Sequence, residues 1–386
     1  MRSGLEEMLA RSTHWRGLRL GLIANPTAVT ASLDHAAVLM STSTALRLVA
    51  LYGPEHGVWA DAQDLVEVGD TRDPRTGLPV YSLYGPTRVP TAAMLEGVDA
   101  LVFDVQDVGS RYYTFIYTML HALEACTHYR KRLIVLDRPN PLGGVALDGN
   151  VLDPAFASFV GLHPLPVRHG LTVGELALLF REERELRAET EVVLMKGWRR
   201  EMAFEDTGLP WVLPSPNMPT VDTAWVYPGG CLIEGTNLSE GRGTTRPFEI
   251  VGAPWLDPWQ LAQDIESEGL PGARARPLFF TPTFQKHAGQ LCGGIQVHVT
   301  DRGRFPAYLY YLLLIHHARR QAPERFAWRQ PPYEYEREKL PIDILCGTDH
   351  VRKAIESGGS PRGLAPEWNR ERQAFRRRRA RYLLYD

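Results

Sequence analysis

The chain has 386 residues, 44% hydrophobic and 23% charged, with a formal net charge of −2. That length exceeds one ordinary core and predicts two domains, while near-neutrality removes the electrostatic case for a nucleic-acid or anionic-membrane partner. Four scattered cysteines (Cys126, Cys231, Cys292, Cys346), with no CxxC pair, argue against a disulfide framework or a thiolate zinc site. The first residues, Met1–Met8, carry acids and lack the apolar core of a signal peptide, so a cytoplasmic location is expected. No window approaches the roughly 18 apolar residues of a membrane helix.

An apolar run over 18–24 stops at Asn25-Pro26-Thr27, and a helix is predicted over 34–40. A second run, 46–52, ends in Gly53-Pro54-Glu55-His56-Gly57. A third, 100–105, ends in Gln106–Arg111 and leads into a predicted helix over 113–125; a fourth, 133–136, ends in Asp137–Gly144. Short apolar strands alternating with helical stretches predict βαβ units and a parallel sheet, an α/β fold of Rossmann-like type. In such sheets the ligand crevice lies at the carboxyl ends of the strands. These four loops are therefore expected to line one cleft, gathering Asn25, Glu55, His56, Asp104, Gln106, Asp107, Arg111, Asp137, Arg138 and Asn140. A nucleotide is not expected there: no G-x-G-x-x-G follows the first strand and no G-x-x-x-x-G-K-[ST] occurs. The dinucleotide fingerprint is missing, and no cofactor is expected.

From Val151 the composition shifts. Residues 159–170 form a Pro/Gly/His-rich connection, and 172–182 a helix whose Thr172 N-cap faces Glu175. A strand is predicted at 192–194 and an extended loop at 211–219. The stretch Tyr227–Phe248 concentrates glycines with Glu234, Glu240, Arg242 and Arg246 and shows almost no apolar periodicity. It reads as a ligand loop whose glycines let backbone approach a ligand; the alternative is a crossover between domains with solvated charges. Beyond it a smaller C-terminal α/β unit is predicted, with a helix at 260–267, strands at 278–281 and 294–299, and a helix at 307–318. The expected division is a Rossmann-like catalytic domain over 1–255 and a smaller domain over 256–386 that completes the cleft. The arginine-rich end, 375–385, interleaves Phe375, Tyr382 and Leu383 and reads as a solvated helix face.

Seven motifs in one order carry a family resemblance: Gly53–Gly57 (GPEHG), Thr76–Gly85 (TGLPVYSLYG), Val102–Arg111 (VFDVQDVGSR), Leu136–Pro141 (LDRPNP), Arg168–Glu175 (RHGLTVGE), Pro214–Pro219 (PSPNMP) and Glu234–Phe248 (EGTNLSEGRGTTRPF). Together they resemble the exo-acting β-N-acetylmuramidases over nearly the whole chain. The resemblance implies a hydrolase that releases terminal N-acetylmuramic acid from the non-reducing end of peptidoglycan fragments, acting in a cleft between a Rossmann-like and a smaller α/β domain. Its partner is then a peptidoglycan-derived saccharide; the sequence carries no signal for oligomeric state.

Glycoside hydrolysis generally uses two carboxyl groups, one as acid and one as base or nucleophile. Glu55, fixed by a Gly-Pro turn beside His56, is the expected acid. Glu234 is the expected second carboxylate, with Asp104 and Asp107 competing; in substrate-assisted hydrolysis the sugar's acetamido group takes the nucleophile's place. The lactyl carboxylate of the sugar suits an arginine fork, with Arg111, Arg242 and Arg246 as candidates. Asn217 and Asn237 are expected to bind hydroxyls or acetamide, and Tyr112, Tyr227 and Trp225 to stack on sugar. His56, Asp107, Asn140, His169 and Glu240 complete the expected binding set. Two rival readings are a metal-dependent hydrolase using Glu55, His56, Asp104 and His169, though no H-E-x-x-H spacing occurs, and a non-catalytic sugar- or peptide-binding module.

Overall fold

A computed structural model describes residues 1–59, 71–85 and 87–386. The chain opens with α1 (Gly4–Ala10), then β1 (Arg19–Ala24), α2 (Ala36–Ser41), β2 (Arg47–Gly53), and the short β3 (Thr71–Arg72) and β4 (Pro79–Ser82). It continues with β5 (Ala100–Asp104), α3 (Phe115–Tyr129), β6 (Arg132–Leu136), the antiparallel pair β7 (Asp148–Val151) and β8 (Pro166–Arg168), α4 (Val173–Glu183) and β9 (Glu189–Val193). The Thr172–Glu175 capping box forms as its spacing predicts and starts α4. The strand expected at 192–194 begins earlier, because its polar start, Glu189-Thr190-Glu191, lies on an incompletely buried edge and carries no apolar signal.

Among the described residues the large sheet has seven strands in the order β3-β4-β2-β1-β5-β6-β9. All neighbours are parallel except β3, which runs antiparallel to β4 at one edge. Successive side chains of each strand point to opposite faces, and both faces are covered. Leu20, Leu22, Val102 and Ile134 meet Leu5, Met8 and Met40 of α1 and α2 on one side. Ile23, Leu101, Phe103 and Val135 meet Ile116, Leu120, Leu176 and Phe180 of α3 and α4 on the other. That is why the central strands read as unbroken apolar runs. Each such side chain contributes roughly 1.5–3 kcal/mol when fully buried.

The second unit contains α5 (Val221–Gly230), a 3₁₀ turn (Cys231–Gly235), β10 (Ile250–Ala253), α6 (Pro258–Ser267), β11 (Ala273–Phe280), β12 (Cys292–Val299), α7 (Ala307–Gln321), α8 (Pro341–Cys346), α9 (His350–Glu356) and α10 (Ala365–Arg379). Its antiparallel sheet, β10-β12-β11, takes chain from both sides of the boundary expected at residue 255. Val226, Ile295 and Leu314 share one apolar cluster with α3 and α4, so the two units pack on a continuous interior. No described helix is long and apolar enough to cross a membrane.

Two expectations are corrected here. The stretch from Tyr227 does not start as a loop: it closes α5 and passes into the 3₁₀ turn. Gly229 serves a helix crossing, since a Cβ there would lie 2.1 Å from the Ala307 carbonyl oxygen of α7. The arginine-rich end is likewise more than a solvated face. Buried Arg379 donates to the carbonyls of His169 (2.9 Å), Gly170 (2.8 Å) and Val145 (3.0 Å), and Arg372 to that of Gly149 (3.1 Å), stitching α10 onto the first unit.

Candidate active site

Beyond β2 the chain folds back sharply. The Gly57 amide donates to the Pro54 carbonyl (2.9 Å), and His56 and Gly57 take φ of 70° and 84°. This turn carries Glu55 into a cleft lined also by Tyr113, Thr114, Asn217, Glu234, Arg242 and Tyr333. Glu55 is buried, and its Oε2 accepts from the Thr114 hydroxyl at 2.7 Å. Thr114 occupies the N-cap of α3, yet its side chain makes no cap bond to the helix. The hydroxyl is spent on Glu55, while Glu55 Oε1 has no hydrogen-bond partner among the described residues.

The opposite wall comes from the second unit. Glu234, in the 3₁₀ turn after α5, accepts from Arg242 Nη2 (2.9 Å) through Oε1 and from the Tyr333 hydroxyl (2.7 Å) through Oε2. Burial, reinforced by the Glu234 charge, pushes the Tyr333 phenol well up, so it stays protonated and donates. Arg242 also lies 3.3 Å from Glu240 and over the Phe248 ring at 5.2 Å. Burial alone disfavours an ionised Glu240, but Lys286 at 2.9 Å and Arg242 outweigh it and hold that carboxyl below its usual range. Both oxygens of Glu234 are therefore engaged by partners on its own wall.

A third carboxylate reaches the cleft from a turn the sequence reading missed. Tyr333 and Glu336 exchange backbone hydrogen bonds (2.9 and 2.8 Å), and the two central residues, Glu334 and Tyr335, both have positive φ, 46° and 66°. Two-residue hairpin turns of this kind favour Asn-Gly. A side chain in the left-handed region costs roughly 1 kcal/mol or more per residue, and Glu334 nevertheless lines the cleft. The local signal was the aromatic-acid alternation of Tyr333-Glu334-Tyr335-Glu336.

The expectation that four strand-end loops line one cleft is corrected: of the expected residues there, only Glu55 and His56 line it. Asp104 is fully buried against Arg138 (2.5 and 3.0 Å), a structural pair joining the ends of β5 and β6. Asp107 accepts from the Gly109 amide (2.7 Å) and lies 3.4 Å from His169, itself fully buried and accepting from the Leu171 amide (3.2 Å). The set Glu55, His56, Asp104 and His169 therefore does not assemble around a metal position. Arg111 is fully buried and donates to four carbonyls, of Asn150, Leu165, Leu345 and Cys346, each at 2.9 Å. Asn140 holds its own turn through the Leu142 amide (3.0 Å) and the Leu171 carbonyl (2.9 Å). Asn237 is tied to the backbone of Arg325 (2.7 Å) and Ala327 (3.0 Å), and Arg246 faces Glu249 (3.4 Å) and Asp222 (3.9 Å). Asn217, Tyr112 and Tyr227 do line the cleft, whereas Trp225 lies beneath the guanidiniums of Arg168 (4.9 Å) and Arg302 (5.6 Å).

Residues 20–222 match the family model of the exo-β-N-acetylmuramidase NamZ, N-terminal, and residues 225–385 that of its C-terminal part. A peptidoglycan β-N-acetylmuramidase NamZ of Bacillus subtilis (strain 168) is 48% identical over 370 residues, 96% of this chain and 87% of that protein. Two crystal structures of DUF1343 family proteins from Bacteroides fragilis NCTC 9343 superpose with TM-scores of 0.91 and 0.78, at 35% and 30% identity. Each comparison covers 100% of this chain and 99% of the other. With both halves of the chain matched in order and nearly half its residues shared with a curated member, the chain belongs to the exo-β-N-acetylmuramidase NamZ family.

Proposed function

We infer that this protein is an exo-acting β-N-acetylmuramidase, a glycosidase that removes N-acetylmuramic acid from the non-reducing end of peptidoglycan fragments. The observation that carries the reading is the pairing of two glutamates from opposite walls of one cleft in unlike environments. Among the described residues Glu55 has one hydroxyl partner, on one oxygen, and Glu234 is clamped by Arg242 and Tyr333. In this scheme Glu55 gives its proton to the glycosidic oxygen as the C1–O bond breaks. Water adds its hydroxyl to the sugar C1 and yields its proton to a carboxylate, a role given to Glu334 because it lines the same cleft. Glu234, already ion-paired, orients the acetamido group.

The test is incubation with a chromogenic β-N-acetylmuramide beside the corresponding glucosaminide. Turnover of the muramide, with the first-formed anomer read by NMR, supports the reading and assigns the stereochemistry. Failure to turn over either sugar returns the cleft to a binding role.

A further inference from the structure

The group that sets muramic acid apart is the carboxylate on its 3-O-lactyl arm, and no arginine expected to receive it is placed to do so. Arg111 is engaged by four carbonyls, Arg242 by Glu234 and Glu240, and Arg246 by Glu249 and Asp222. On the outer side of the Tyr333–Glu336 turn lies a second cavity of about 650 Å³, lined in part by Arg88, His121, Ser158, Phe159 and Tyr335. Glu334 lines this cavity and the catalytic cleft alike, so the two meet at one carboxylate.

Arg88 is built differently from the other three. Its guanidinium lies over the rings of Tyr335 (4.4 Å) and Phe159 (4.9 Å), and it has no ion pair or hydrogen bond among the described residues. The two rings hold the guanidinium by cation–π contact, and an arginine so held presents a planar fork of N–H donors suited to a carboxylate. The platform is itself held: Tyr84, Phe159 and Tyr335 pack on one another with centroids 5.6–6.0 Å apart, and Tyr84 and Phe159 are buried. Glu334, the residue before Tyr335, lines both cavities, so the platform and the expected acid share one wall.

We propose that Arg88, presented by Tyr335 and Phe159, binds the carboxylate of the substituent on the muramyl 3-oxygen, and that the outer cavity receives that arm. The inference rests on the muramidase reading. The carboxylate is that of the lactyl group itself or, where a peptide is attached, that of the peptide.

Steady-state kinetics of the full chain and of Arg88→Gln on the chromogenic muramide, its lactyl methyl ester and the glucosaminide test the site. Arg88→Gln lowers kcat/KM for the muramide about 10- to 100-fold, chiefly through KM, and leaves the glucosaminide unchanged. The ester is as poor for the wild type as the free acid is for the variant, and Arg88→Lys recovers part of the loss. A muramyl dipeptide glycoside separates the sources: a loss confined to it assigns the peptide carboxylate. Equal losses on muramide and glucosaminide, or no loss on any substrate, overturn the proposal. Calorimetric binding of free N-acetylmuramic acid separates this from failure of the activity. If the wild type hydrolyses nothing but binds N-acetylmuramic acid 10-fold or more tighter than Arg88→Gln, the anion site stands and the muramidase reading falls. Equal binding by the two sinks the site.

Discussion

Glu55→Gln isolates the proposed acid. Thr114 Oγ1 sits 2.7 Å from Glu55 Oε2, and a glutamine carbonyl of the same shape still accepts that bond. The substitution therefore costs about 1 kcal/mol of stability or less, since the hydroxyl keeps an acceptor of the same geometry, and the melting temperature stays close to that of the wild type. The rate does not. A positioned general acid contributes roughly 10²- to 10⁴-fold, but only where the leaving oxygen needs its proton. Hydrolysis of a muramyl-glucosamine disaccharide, whose leaving group is a poor one, should fall by about that factor. A dinitrophenyl muramide, whose leaving group departs as a stable anion, should fall less than about tenfold. Thr114→Val, which removes the hydroxyl and leaves the carboxyl unanchored, is expected to lower kcat about tenfold on the disaccharide, with Thr114→Ser restoring it. Single-turnover measurements on both substrates decide the matter. Equal losses for the two leaving groups would refute Glu55 as the acid, as would a Glu55→Gln enzyme that keeps wild-type rates on the disaccharide.

Two further outcomes concern stability. His35 caps α2 by accepting from the Ala37 amide at Nδ1 (3.2 Å), with Nε2 facing the Asn25 carbonyl (3.1 Å), and burial holds its pKa down. Below the unfolded value of about 6.5 the unfolded chain takes up a proton that the native ring resists. This contribution is intact above that pH and is lost as pH falls toward the depressed folded value, at a slope of at most about 1.4 kcal/mol per pH unit. Urea unfolding between pH 7.5 and 5 should show the decline in the wild type and a shallower one in His35→Asn, which keeps a capping oxygen; parallel slopes would count against the assignment. Arg379→Met removes the side-chain donor of the Val145 and His169 carbonyls and one of the two that reach the Gly170 carbonyl, which keeps Arg200 at 2.6 Å. A loss of about 2–4 kcal/mol is expected, read as a lower urea midpoint at unchanged m-value, with Arg379→Lys intermediate. A midpoint within experimental error of the wild type would mean that α10 is held without this arginine.

The legible parts of this protein are those whose cause is local. A strand that ends in Gly53-Pro54 and turns back through Gly57 aims Glu55 by backbone geometry alone, and Thr172 with Glu175 caps α4 within four residues. The charges that were misassigned have partners remote in sequence. Asp104 meets Arg138 34 residues on, and Arg111 reaches carbonyls 39, 54, 234 and 235 residues away, so each looked free when read along the chain. A buried guanidinium bound only by carbonyls leaves no acidic partner to search for. The helix over Val221–Gly230 was invisible for a related reason: its Pro228-Gly229-Gly230 end has little helix propensity, and packing on α7 supplies what propensity lacks.

The turn at Tyr333–Glu336 is the most telling omission. A reading by turn chemistry looks for Asn-Gly and passes over Glu-Tyr, yet here the left-handed pair carries one residue into the cleft and sets the other beneath Arg88. A tight two-residue turn is a short device for giving neighbouring side chains different surroundings: Glu334 lines both cavities and Tyr335 only the larger one. Glycine at either central position would relieve the backbone strain and remove a group the site uses. The strain and the proposed function thus share one cause, and both point to a substrate whose sugar ring and acidic arm lie on opposite sides of that turn.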